Sequence, residues 1–146
     1  MARNEIHAAA PPEAVFDVLA DPRLYANWVV GASTTRGVEG RWPQAGSRLH
    51  HTQLGVLRDT TSVVRCEPPR RLVLEVRARP LLVATVDVRL APEDGGTRIV
   101  FEEQARHGPL TWVPGWVSEP LLRLRNRETV RRLRRLAEIG VELGAA

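Results

Sequence analysis

Two of the chain's four histidines stand side by side in Leu49-His50-His51-Thr52-Gln53. Adjacent imidazoles suggest a metal site or an acid–base pair. On a strand, however, successive side chains leave opposite faces, so a joint site would need a bulge. If Leu49 packs inward, His51 and Gln53 share its face and His50 meets solvent. In a strand over 96–106, Ile99 and Phe101 read as inward, which puts Glu103 on the same inner surface and His107 near the strand's end. The candidate interior polar set is therefore His51, Gln53, Glu103 and His107, joined by Asp59 or Thr61 from the strand between.

A neutral histidine near a carboxylate can act as a general base around neutral pH, and a carboxyl can be tuned upward by burial for use as an acid. With His51 and Glu103 as catalytic groups, such a set could enolise, cyclise or dehydrate a carbonyl compound. The simpler reading, which we prefer, is that these groups hydrogen-bond one another or a ligand's hydroxyls, as buried polar groups must. His51, Glu103 and His107 also make two imidazoles and a carboxylate, but their spacing matches no metal motif. No metal and no cofactor is expected. Cys66 is the single cysteine, which excludes an internal disulfide and reads as a small unactivated thiol.

These residues need elements to position them. Asn4 to Ala10 reads as a short strand, ended by Pro11-Pro12. A helix begins at Pro12 with Val15, Phe16, Val18 and Leu19 on its apolar side, and Asp21 caps a second short helix from Pro22 to Trp28. From residue 34 the pattern alternates, predicting strands near 34–40, 47–54, 57–67, 71–79, 82–91 and 96–106. Asp94-Gly95-Gly96 is a strong hairpin turn. A long helix follows from about Glu119 to Leu143, with a stripe of Val130, Leu133, Leu136/Ala137, Gly140 and Leu143. Asn126 lies one turn before Val130 on that stripe, where it either faces a cavity or bonds nearby backbone. Thr129 sits on its margin.

The order is strand, two short helices, a six-strand meander and a long helix. A sheet with one apolar face and one amphipathic helix are best satisfied when the sheet curls around the helix, an α+β fold that leaves room for a ligand cavity. All 146 residues are expected to form one domain (1–146).

Several stretches, in this order, resemble the START-related superfamily, which includes polyketide cyclases/dehydrases and birch-pollen-allergen-like proteins. They are Ile6-His7-Ala8-Ala9-Ala10-Pro11-Pro12-Glu13-Ala14-Val15-Phe16-Asp17-Val18-Leu19-Ala20-Asp21-Pro22, then Trp28, Glu67-Pro68-Pro69-Arg70-Arg71-Leu72, Gly95-Gly96-Thr97-Arg98-Ile99 and the final helix. The resemblance covers essentially the whole chain. It implies a helix-grip fold, a curved antiparallel sheet of about seven strands around the C-terminal helix. It also implies an internal cavity for a lipid, polyketide, quinone or other apolar molecule, and no particular reaction. The expected function is binding or transport of such a molecule, with a cyclase, aromatase or dehydratase as the alternative. Expected ligand contacts are Trp28, Gln53, Thr61, Phe101, His107, Trp112, Trp116, Asn126, Val130 and Leu133. Trp112 and Trp116 form an apolar stretch that reads as a lid, a core plug or a contact surface.

Charge separates the remaining classes. All 21 basic residues are arginine, the net charge is only +4, and the arginines of the last helix read as a solvated face. Nucleic acid is not an expected partner, since no basic–aromatic interleaving appears. No apolar run approaches the ~20 residues of a membrane helix, so stable insertion is not expected either. The N-terminus lacks a signal-peptide core, and a cytoplasmic monomer or homodimer is the expectation.

Overall fold

The computed structural model describes residues 2–30, 32–53, 57–78 and 82–145. Its elements are β1 (Ala2–Ala8), α1 (Pro12–Ala20), a 3-10 turn (Pro22–Leu24), α2 (Tyr25–Trp28), β2 (Ala32–Glu39), β3 (Arg48–Gln53), β4 (Leu57–Glu67), β5 (Arg71–Ala78), β6 (Leu82–Glu93), β7 (Gly96–His107), a second 3-10 turn (Pro109–Trp112) and α3 (Gly115–Ala145). The strands form one antiparallel sheet in the order β1-β7-β6-β5-β4-β3-β2. The meander is complete, and β1 closes the edge beside β7. This is the helix-grip arrangement, with α1 and α3 laid across the inner face.

Local chemistry explains the frame. Pro12 takes the first helical position of α1, where its missing N–H costs nothing, and Glu13 follows in the first turn. Asp21 caps the next turn by accepting the Arg23 backbone N–H at 2.9 Å. The Trp42 indole donates to Leu19 O at 3.1 Å, satisfying a carbonyl at the end of α1. Between β6 and β7, Asp94 and Gly95 both have positive φ (44° and 75°), the geometry an Asp-Gly hairpin requires. Gly96 is needed for a different reason: a Cβ there would lie 2.1 Å from Ala8 O, so β1 closes on β7 only with a glycine.

The core is the inner face of the sheet against the helices. Leu72, Leu74, Val86, Val88, Ile99 and Phe101 meet Val15, Phe16 and Leu19 of α1 and Val130, Leu133 and Ala137 of α3. Two contacts fasten α3 near its two ends. Asn4 Nδ2 donates to Arg123 O at 3.0 Å, and Glu138 Oε2 accepts the Ala9 backbone N–H at 2.7 Å. The outer face carries cross-strand ion pairs, among them Arg71 donating to both oxygens of Asp87 at 3.1 and 2.7 Å.

Two expectations about α3 need correction. It starts at Gly115 rather than Glu119, so Pro120 lies inside it, in an exposed turn where water can serve the carbonyl that proline leaves unpaired. Gly140 is exposed and Leu143 is 73% exposed, so both leave the stripe, which continues from Ala137 to the half-buried Val141. At about 100° per residue Leu143 lies roughly 110° from the centre of the stripe and turns to solvent, while Gly140 and Val141 flank that centre about equally and only Val141 has a side chain to bury.

Leu133 is fully buried while Ile139 is 44% exposed. Leu133→Ala should lower the unfolding free energy by about 2–5 kcal/mol, and Ile139→Ala should change it by less than about 0.5 kcal/mol, as read by urea denaturation. Partial burial pushes the Asp87 carboxyl up, but hydrogen bonds from Arg71 and Arg89 outweigh it and hold the group below its ordinary value. A depressed carboxyl contributes stability above its unfolded pKa and loses it as pH falls through the folded one. Asp87→Asn should therefore flatten the stability–pH curve below about pH 4 and leave its shape near neutrality unchanged.

Candidate functional site

Strand alternation sorts the paired histidines as expected. His50 is half-buried on the outer face, 3.1 Å from Thr60 Oγ1 and 3.4 Å from Glu39. His51 is fully buried beside Leu49 on the inner face. The register places Asp59 directly opposite His51 and Thr61 opposite Leu49, so three buried polar side chains share one patch. His51 Nδ1 lies 3.8 Å from Asp59 Oδ2, and its Nε2 is hydrogen-bonded to Thr61 Oγ1 at 2.9 Å. Thr61 Oγ1 in turn meets the Tyr25 hydroxyl at 2.8 Å. The Tyr25 ring covers His51 with centroids 4.4 Å apart. Burial pushes the Tyr25 phenol far above its ordinary range, a rise the Thr61 hydrogen bond only partly opposes, so it stays protonated.

A second polar group stands on β7. Glu103 shares the inner face with Ile99 and Phe101, and its Oε1 accepts Asn126 Nδ2 at 2.9 Å and Arg125 Nη1 at 3.3 Å. The Arg125 guanidinium also donates to Val30 O at 2.8 and 3.2 Å, while the Val30 N–H donates to Thr129 Oγ1 at 3.4 Å. One turn of α3 thus holds both the sheet and the chain that leaves α2.

Between these groups lies a cavity of about 20 Å³. Leu74, Val76, Val86 and Phe101 form its sheet wall; Tyr25, Trp28 and Val29 form another side, and Glu103, Arg125 and Thr129 supply polar lining. That volume suits a single water, which needs about 10–15 Å³. Trp28 is fully buried, and its indole N–H has no acceptor among the described residues. A larger hollow of about 590 Å³, lined by Arg48, His50, Arg58 and Arg77 among others, lies on the outer face, where charge and water disfavour an apolar ligand.

A model of the family described as polyketide cyclase/dehydrase and lipid transport matches residues 2–138. The chain belongs to this family. Proteins of Mycobacterium tuberculosis and Mycobacterium bovis, both named as uncharacterized, are 30% identical to it over 154 residues, covering 93% of this chain and 83% of theirs. The fold matches a Bacillus halodurans protein solved in solution (TM-score 0.72, 17% identity, 93% of this chain and 95% of that one). It also matches DynU16, a protein in the dynemicin biosynthetic locus (TM-score 0.72, 20% identity, 95% of this chain and 47% of that one). An Aha1 dimer from Colwellia psychrerythraea has the same fold at 14% identity (TM-score 0.69, 95% of this chain and 96% of that one).

Within this member of the polyketide cyclase/dehydrase and lipid transport family, the expected site residues divide. Trp28, Phe101 and Glu103 line the cavity, and Asn126 is buried against Glu103. Thr61 and His51 lie one layer back, behind Tyr25. Val130 and Leu133 are buried core residues outside the cavity wall. The Gln53 side chain lies outside the described residues. His107 is exposed at the end of β7, a correction that follows from the strand outrunning the helices that cover it. Trp112 and Trp116 are 82% and 81% exposed, so they neither plug the core nor line the cavity.

His51 and Glu103 stand on strands that are not neighbours and have different hydrogen-bond partners. β7 and β3 are separated by β6, β5 and β4, roughly 19 Å along the sheet at about 4.8 Å per strand. Glu103 is engaged by α3, His51 by β4, and Tyr25 connects them by touching His51 and lining the cavity. Among the described residues, no group of three or more His, Cys, Asp or Glu side chains is placed to hold a metal ion. Cys66 is half-buried, and burial pushes its thiol up, away from reactivity.

Tyr25 and Arg125 escaped the sequence reading. Arg125 is one of seven arginines between 123 and 135 and carried no separate mark, although it lies four residues before Thr129 on the stripe's margin. Asn126→Ala should cost about 1–3 kcal/mol by leaving a buried carboxylate under-bonded. Measured against Glu103→Gln in a double-mutant cycle, the pair should show coupling of about 0.5–3 kcal/mol. Additive effects would show that the contact contributes nothing.

Proposed function

We propose that the chain binds a small, mainly apolar molecule carrying one polar group, held between the inner face of the sheet and α3. The observation that carries this reading is the composition of the cavity: aliphatic and aromatic walls, a buried carboxylate paired with a partly exposed guanidinium, and Trp28, whose indole N–H has no acceptor among the described residues. Apolar walls supply affinity and a few convergent polar groups fix orientation. The Trp28 N–H suits a carbonyl or ether oxygen, and Glu103 with Arg125 suits a hydroxyl or enol. The family's description, which joins polyketide chemistry and lipid transport, supports the same class of molecule.

At about 20 Å³ the cavity admits nothing larger than water, so a ligand enters by parting α2 from α3. The contacts to be released are those of Arg125 and Thr129 with Val30. Arg125 is one-third exposed, which puts this clamp at the cavity's rim.

A second reading rests on the buried line Asp59–His51–Thr61–Tyr25. In it Tyr25 gives its proton to a ligand carbonyl oxygen and recovers one from the Thr61 hydroxyl, which takes one from Nε2 of a His51 that starts doubly protonated beside the Asp59 carboxylate and is left neutral. Native mass spectrometry of the purified protein, followed by extraction, should find one apolar molecule per chain. Val86→Phe, which narrows the cavity wall, should reduce binding of that molecule at least tenfold with the fold intact by circular dichroism. A protein that arrives empty and binds no apolar dye contradicts the binding reading. Unchanged conversion of the extracted molecule by Tyr25→Phe contradicts the second.

A further inference from the structure

We propose that the outward face of α3, with the segment before it, docks on an anionic lipid surface. Trp112, Trp116, Leu121 and Leu124 are 82%, 81%, 62% and 65% exposed, although no other stretch of the described chain exposes such large apolar groups so densely. Helical spacing puts Trp116 and Leu124 on one line, with Leu121 beside it and Trp112 in the turn just before the helix. Residues 116, 120, 124, 127, 131 and 135 follow one another at steps of three or four and are all exposed. Along that single line the side chains are Trp, Pro, Leu, Arg, Arg and Arg. The core residues Asn126, Val130, Leu133 and Ala137 occupy the opposite side of the helix.

Three arginines on this line, Arg127, Arg131 and Arg135, are uncommitted. Arg125 is spent on Glu103 and Val30, and Arg132 pairs with Glu128. Arg127, Arg131 and Arg135 are exposed and, among the described residues, form no ion pair, whereas Arg123 has the Glu119 carboxylate nearby. An apolar half rich in tryptophan beside a half rich in arginine is the composition of a helix that lies in a membrane interface. Indoles settle at the headgroup level, and guanidinium forks bind lipid phosphates in pairs of hydrogen bonds. No helix of the described residues is long and apolar enough to cross a membrane, so the contact is peripheral.

Charge complementarity selects this occupant. In a two-fold dimer of this face, matching the apolar turns of antiparallel helices leaves both arginine turns overhanging. Covering the whole face instead sets the arginine turns of one copy on the tryptophan turns of the other. A polyanion such as nucleic acid would leave the exposed indoles and leucines unused. An anionic bilayer satisfies both halves at once.

The test is co-sedimentation with vesicles of phosphatidylcholine alone and of phosphatidylcholine mixed with phosphatidylglycerol, with tryptophan emission recorded in parallel. Binding should be at least about tenfold stronger with phosphatidylglycerol, fall on raising salt, and shift the emission to the blue. Trp112→Ser with Trp116→Ser should abolish the shift and weaken binding. Arg127→Glu with Arg131→Glu should remove the dependence on phosphatidylglycerol. Val86→Phe should leave vesicle binding unchanged, which separates this proposal from the fate of the cavity. The proposal fails if anionic vesicles are not bound at low salt, or if both double variants bind as the parent does. It fails equally if the parent is a dimer that Trp116→Ser dissociates.

Discussion

A carboxylate buried under a helix must have its lone pairs satisfied by that helix, because a buried charge without partners is far more costly than one left in water. Glu103 meets this requirement through Asn126 and Arg125, consecutive residues of α3. Slide α3 by one turn and both donors leave the carboxylate. The register of α3 on the sheet is therefore set by polarity, whereas its apolar stripe alone would tolerate neighbouring registers. Much else depends on that choice. It brings Arg125 and Thr129 to Val30, closes the cavity over Trp28, and turns Trp116, Leu124 and Arg127 outward.

The same constraint shapes the interior that we propose as a binding site. Side chains that hold the helix in place also line the cavity beneath it, so the residues proposed to meet a ligand have structural roles as well. Glu103 and Arg125 compensate each other when the cavity is small, and each has hydrogen-bonding capacity to offer a guest. Their pairing makes the closed form stable without an occupant. The His51 layer differs. It is sealed behind Tyr25 and organises the far wall through hydrogen bonds along β3 and β4.

Much of this was legible from period and punctuation. The meander, the Asp94-Gly95 hairpin and the inward placement of Leu49, His51, Phe101 and Glu103 all follow from two-residue alternation, a signal that survives because one face of the sheet is buried. Asn126 was legible as a polar residue on an apolar stripe. Arg125 was not, because an arginine at a stripe's margin looks like its solvated neighbours until a buried carboxylate faces it. Tyr25 was hidden in a short helix without periodicity. The partners of His51 and Glu103 could not be read, because alternation reports which face a residue takes and says nothing of how many strands lie between. The extent of the cavity was also beyond reach, since interior volume depends on how side chains from many elements interlock.

We propose that a small apolar molecule with a polar group binds in the cavity beside Trp28. The most direct measurement is the set of four indole N–H resonances in a nitrogen–proton correlation spectrum, assigned by single Trp→Phe variants, as the molecule extracted from the protein is titrated back. The account predicts that the Trp28 signal moves on saturation, as its N–H gains an acceptor, while those of Trp112 and Trp116 stay in place. A Trp28 signal that does not move while binding saturates contradicts it.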